Sequence, residues 1–200
     1  MIREFQADAA PGERGIHDAR LAMETAKLMT ELGISAREIS RIGLILGPGS
    51  FTGLRIGLSF AKGLCFAAGA GIVPLTLHEV LFAEAGDPGE CYIVTPGYRD
   101  DLFYVAKSSE PRNIRLWHGE ALSKLGNVPI LPHDYFLLHP SPFLPPAAAF
   151  ASPSLSTMAS LTAKYPLPLR DLELDALEPL YLTEFNAIRT GFPQSLLLQN

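Results

Sequence analysis

The residues best placed to do chemistry lie in Gly47-Pro48-Gly49-Ser50-Phe51-Thr52-Gly53-Leu54-Arg55, a glycine-rich turn between an apolar run and a helix-forming stretch. Backbone amides at a helix start hold anions, and Ser50 or Thr52 supplies a hydroxyl to cap the helix or to meet a phosphate. Gly47, Gly49, Ser50 and Thr52 therefore form a candidate anion site. The turn departs from both common phosphate patterns. A P-loop needs a lysine to reach the phosphates, and the corresponding position here is apolar. The dinucleotide pattern Gly-x-Gly-x-x-Gly needs its third glycine one residue earlier than Gly53. A strand-to-helix turn with no ligand accounts for the same glycines, so both readings stay open.

Other reactive residue types are scattered rather than clustered. His17 is followed four residues later by Leu21, so the pair of histidines that would put two metal ligands on one helical face is absent. His78, His118, His133 and His139 have no histidine or cysteine at ligand spacing, which favours surface or core roles. Cys65 and Cys91 sit in apolar runs and are too few for a disulfide framework or a four-cysteine zinc site. No Gly-x-Ser-x-Gly elbow is present. Asp100 and Asp101 are adjacent, and neighbouring strand residues point to opposite faces, which is poor geometry for shared acid–base work. These patterns predict a chain with no catalysis, metal or cofactor of its own.

The elements that would position such residues must fit in 200 residues, enough for one large domain or two small ones sharing a core. Apolar residues are 48% and charged residues 18%, so the chain can bury a core. Its net charge of −5 gives no global positive field for nucleic acid, so RNA contact would be indirect. The acidic N-terminal stretch lacks the apolar core of a signal peptide. The most apolar window, 54–74, is broken by Arg55, Lys62 and glycines; a soluble cytoplasmic protein is expected.

Helices are predicted over 16–32, ended by Gly33, over 52–68, and over 77–85, capped by Thr76. Ser35 and Glu38 have capping-box spacing for a short turn. Runs at 42–46 and 72–75 read as strands, the first of them buried on both faces. Further strands are expected at 91–95, 102–107 and 113–118, with a turn over 96–100. Nine of the seventeen prolines fall between Pro129 and Pro168, which excludes long helices there and leaves one helical window at 154–164. The order predicts an α/β fold with an N-terminal subdomain at 1–90 and a second at 91–200, proline-rich from 129.

The second helix carries Gly53, Gly57, Ala61, Cys65 and Gly69 at four-residue intervals, a ridge of small residues that lets another backbone approach. Its other faces are mostly apolar, with Arg55, Ser59 and Lys62 as the polar strip. Such a helix needs cover on more than one side, from its own sheet and from either the first helix or another chain.

The run GPGSFTGLRIGLSFAKGL, from Gly47 to Leu64, resembles the signature of the TsaB (YeaZ) family, the inactive paralogue of the tRNA-modifying protein TsaD. The helix with His17 and Leu21, the turn from Pro96 to Phe103 and the segment Pro179-Leu180-Tyr181-Leu182 are similar to family segments in the same order. The resemblance implies two ribonuclease-H-like subdomains of the actin-like ATPase superfamily, the first truncated at its N-terminus, where only residues 2–7 could form a remnant strand. It implies a non-catalytic role beside a TsaD-like protein and a TsaE-like ATPase in threonylcarbamoylation of the adenosine beside the tRNA anticodon. ATP or ADP would bind only with partners. The family contact is a bundle of the first two helices of each partner, which here would use His17, Arg20, Leu21, Gly53, Leu54, Gly57, Leu58 and Ala61 and would give a homodimer when the chain is alone. Leu58 is expected near the border of that patch. Two departures stand out. The usual first strand with its phosphate-facing Asp-Thr-Ser loop has no counterpart, and Pro96 and Tyr98 replace an Asp and an Arg. A homodimer with no tRNA role and a divergent hydrolase or kinase of the same superfamily are the alternatives.

Overall fold

A computed structural model describes residues 17–182, apart from 87, 147, 148 and 167. The expected remnant strand at 2–7 lies outside these residues. Helix α1 (His17–Leu32) stops where the sequence provides a left-handed glycine. Gly33 has φ +65°, its N–H donates to Thr30 O at 3.1 Å, and Ile34 N–H donates to Met29 O at 3.0 Å. This pair of bonds is a Schellman motif and satisfies the last carbonyls of the helix. A 3₁₀ turn, Ala36–Glu38, follows, with Ser35 N–H donating to Glu38 Oε2 at 2.8 Å.

Strand β1 (Arg41–Ile45) then leads through helix α2 (Phe51–Ala68) to strand β2 (Gly71–Leu75), which pairs with β1 in parallel. Each face of this pair is covered by a different helix. On one face, Leu58, Ala61 and Cys65 of α2 pack with Leu46, Ile72, Leu169 and Leu177. On the other, Met158 and Leu161 of helix α5 (Leu155–Lys164), with Tyr165, pack against Val73, Leu75 and Val80. Fit here is tight enough to require glycine: a Cβ added at Gly43 would lie 2.0 Å from Thr162 Oγ1. Arg41 donates from Nη1 to the carbonyls of Ala163, at 3.2 Å, and Tyr165, which places a cation at the α5 C-terminus.

The expectation of a doubly buried β1 needs correcting. β2 is buried throughout, whereas the residues of β1 are half-buried. Both strands are edges of this two-stranded sheet among the described residues, but the outer side of β2 is bridged by Leu169 at Ile72 while that of β1 stays open.

Helix α3 (Leu77–Glu84) begins with a capping box: Glu79 N–H donates to Thr76 Oγ1 at 3.1 Å and Thr76 N–H to Glu79 Oε2 at 2.8 Å. The free Glu79 oxygen accepts from Arg112 Nε at 2.6 Å, and Arg112 also donates to the Tyr165 hydroxyl. The cap thereby ties α3 to the second sheet and to the end of α5. That sheet has the order β5-β4-β3-β6, formed by β3 (Tyr92–Pro96), β4 (Leu102–Lys107), β5 (Glu110–His118) and β6 (Ile130–Pro132). β3 and β4 form an antiparallel hairpin, β5 extends it antiparallel, and β6 joins β3 in parallel. Leu81 and Phe82 of α3 cover one face with Ile93, Tyr104 and Ala106. Val94, Phe103, Val105, Leu122 and Phe136 fill the other. Short helices α4 (Tyr135–Leu138) and α6 (Leu172–Asp175) and a 3₁₀ segment, Gly119–Leu125, are the remaining elements among the described residues, whose proline-rich stretch holds no long helix, as expected.

Gly43→Ala is expected to cost about 1–3 kcal/mol of stability by overpacking, with part of the loss recovered by Thr162→Ala. Urea unfolding of the two single variants and the double variant checks this. A Gly43→Ala protein as stable as the parent would contradict the close approach.

Candidate signature loop and helix pair

β1 delivers the glycine-rich turn at its carboxyl end. Leu46 is 1% exposed, and the Gly47–Pro48 peptide is cis and buried. Gly47 has φ +143°, and a Cβ there would lie 2.8 Å from Leu180 O. Its carbonyl accepts from Leu77 N–H at 2.9 Å, while Leu180 N–H donates to Leu46 O at 2.8 Å. The first half of the turn thus packs against the start of α3 and the end of the described chain. Gly49, Ser50 and Thr52 lie exposed at the start of α2, so three of the four anion-site candidates share one surface and Gly47 points inward. Ser50 Oγ accepts from Gly53 N–H at 3.4 Å and Ser50 O from Leu54 N–H at 2.9 Å, so Ser50 acts as the helix cap.

Arg55, inside the signature, makes the contact that sequence reasoning missed. Its guanidinium lies 4.0 Å from the Phe51 ring centroid, and Nε donates to the Tyr181 hydroxyl at 2.8 Å. The Phe51 and Tyr181 rings pack at a tilt of 33° with centroids 4.8 Å apart. Further along the same strip, Lys62 Nζ donates to Asp175 O at 3.3 Å, and Arg170 donates back to Gly69 O at 2.8 Å. Leu177, between these ties, is 1% exposed. The polar strip of α2 therefore holds the chain's own segment at 175–181. Arg55 belongs to the signature and Tyr181 to the Pro179-Leu180-Tyr181-Leu182 segment, but the two are 126 positions apart and no periodicity links them.

The helix-pair candidates divide by direction. Leu58 and Ala61 are 6% and 3% exposed and belong to the core against β1 and β2. A Cβ on Gly57 would meet Leu44 at 3.7 Å, so that glycine also faces the sheet. The middle of the small-residue ridge serves close approach to β1, and Leu58 does not border an exposed patch: its side chain fills the core. Gly53 is exposed, while Leu54, Arg20 and Leu21 are half-buried. His17 opens α1. Exposed apolar surface on the two helices comes instead from Met23, Leu32, Phe51 and Phe66, the last 94% exposed. Between Arg20 and Leu32 no side chain of α1 is fully buried.

Catalytic geometry is sparse elsewhere. Among the described residues no three His, Cys, Asp or Glu side chains cluster to hold a metal, and no helix is long and apolar enough to cross a membrane. Burial raises the thiol pKa of Cys65 and Cys91, which suits packing rather than nucleophilic chemistry. At the 97–101 turn, Arg99 grips Asp101 through bonds of 3.0 and 3.1 Å and holds its carboxyl below the usual range. That carboxylate is thus committed to an exposed ion pair.

A double-mutant cycle on Arg55→Ala and Tyr181→Ala is expected to give a coupling of about 0.5–1 kcal/mol, typical of an exposed cation–aromatic contact. Zero coupling in urea unfolding would mean that the segment at 175–181 is held without Arg55.

Residues 15–142 match the family model described as TsaD: tRNA N6-adenosine threonylcarbamoyltransferase. Among curated proteins, the tRNA N6-adenosine threonylcarbamoyltransferase of Hyperthermus butylicus is 34% identical over 91 residues, 42% of this chain and 25% of that protein. The tRNA threonylcarbamoyladenosine biosynthesis protein TsaB of Haemophilus influenzae is 30% identical over 60 residues, 30% of this chain and 25% of that protein. The chain spans about a quarter of the length of these curated relatives. Two similar solved structures are from Pseudomonas aeruginosa. One, an uncharacterized protein with similarity to peptidase YEAZ, has a TM-score of 0.61 at 19% identity and covers 84% of each chain. The other, YeaZ, has a TM-score of 0.54 at 18% identity over 76% of this chain and 78% of that one. These likenesses carry the fold, which is the expected ribonuclease-H-like, actin-like ATPase architecture.

Proposed function

Because the chain belongs to the TsaD: tRNA N6-adenosine threonylcarbamoyltransferase family, we propose that it is a non-catalytic, TsaB-like partner of a TsaD-type protein in threonylcarbamoylation of tRNA. The observation that carries the proposal is the apolar surface of α1 and α2, where Met23 is 60% and Phe66 94% exposed. Large apolar side chains left exposed on the two helices are the surface a partner would cover. The net charge of −5 favours leaving tRNA contact to the partner. A TsaE-type ATPase completes the set, and nucleotide binds only in the assembly. Alone, the chain covers the same helices with a second copy.

Capture of a TsaD-type protein by the tagged chain is the test. Met23→Glu and Phe66→Asp alter exposed positions, so folding should persist while capture weakens at least about tenfold, as for truncated interface anchors. Threonylcarbamoyl transfer to tRNA by the TsaD-type protein should rise on adding the chain, whereas the chain alone should transfer nothing. Undiminished capture by both variants would remove this surface from the interface. A chain that dimerises yet never captures a TsaD-type protein would favour self-association with no tRNA role.

A further inference from the structure

The core between α3 and the second sheet contains two polar side chains with unmet hydrogen-bonding capacity. His78, in the first turn of α3, is 0% exposed, and Thr95, in β3, is 1% exposed. His78 Nε2 lies 3.2 Å from the carbonyl oxygen of Tyr104. A carbonyl only accepts, so in the tautomer that donates to Tyr104 the proton sits on Nε2 and Nδ1 is an acceptor. Burial brings the imidazole pKa down to about 4, which keeps the ring neutral near pH 7. Nδ1 of His78 and Oγ1 of Thr95 have no hydrogen-bond partner among the described residues.

Topology places both groups in the same layer. Thr95 is the register partner of Tyr104, the residue whose carbonyl His78 engages. Strand alternation puts Thr95 on the face of Ile93, and Ile93 and Tyr104 pack against Leu81 and Phe82. Leu81 and Phe82 follow His78 by three and four residues, which is one face of a helix. An acceptor and a hydroxyl donor therefore face the same apolar layer, where unmet polar groups are costly.

We infer that a single internal water molecule bridges His78 Nδ1 and Thr95 Oγ1, donating to the ring nitrogen and accepting from the hydroxyl. The site suits water rather than an ion, because a neutral imidazole and a hydroxyl set among Ile93, Leu81 and Phe82 supply no countercharge. The bridge pins α3 to β3, beside the capping box that already fixes the start of the helix.

Rotating-frame NOE spectra of the full chain should give cross peaks between water and two non-exchanging groups, the Thr95 methyl and His78 Hε1. Their absence would overturn the inference. Independently, Thr95→Val should lower the folding equilibrium constant about tenfold in the parent protein. In a His78→Phe background, which removes the acceptor, the same change should be nearly neutral. Equal losses in both backgrounds would also overturn the bridge. If His78→Phe does not fold, the NOE measurement on the parent protein decides alone.

Discussion

β1 and β2 are five residues each and pair in parallel, an arrangement that is stable only when both faces are covered. One cover is local, because α2 is the crossover between the two strands. The other is α5 (Leu155–Lys164), which comes from far along the chain and approaches so closely that Gly43 has no room for a side chain. Arg41 at the start of β1 reaches the last carbonyls of α5, and Arg112 links the α3 cap to Tyr165 just beyond that helix. The first half of the chain is therefore completed by the second.

The signature loop sits inside that closure. Gly47 must be glycine because the segment at 175–181 passes over it, with Leu180 O 2.8 Å from where a Cβ would be. Arg55 and Lys62 hold the same segment from the α2 side. Much of the motif's polar chemistry thus goes into assembling the subdomain. Its outward residues, Gly49, Ser50 and Thr52, remain at the surface beside Phe51.

Local signals were legible in the sequence. Gly33 ends α1, Ser50 and Thr76 cap α2 and α3, and proline density keeps residues 129–168 from forming a long helix, because each effect acts within about four residues. Direction and distance were harder to see. Small residues every four positions reveal that a backbone comes near, but not that it is β1 rather than another chain, so Leu58 was expected near a surface it does not reach. The apolar pattern of β1 promised a buried strand, but its outer side is left open while Leu169 bridges that of β2, a difference that no residue in the run records. Arg55 to Tyr181 and Gly43 to Thr162 are pairings that only the folded chain brings together.

If closure by α5 is what stabilises the strand pair, the two should open together. Native-state hydrogen exchange on the amides of Ile72 and Leu75 in β2, and on those of α5 from Met158 to Thr162, measures this directly. Both sets should exchange with the same opening free energy, and both should lose protection equally in Gly43→Ala. α5 amides that exchange well before β2, leaving the strands protected, would contradict the account.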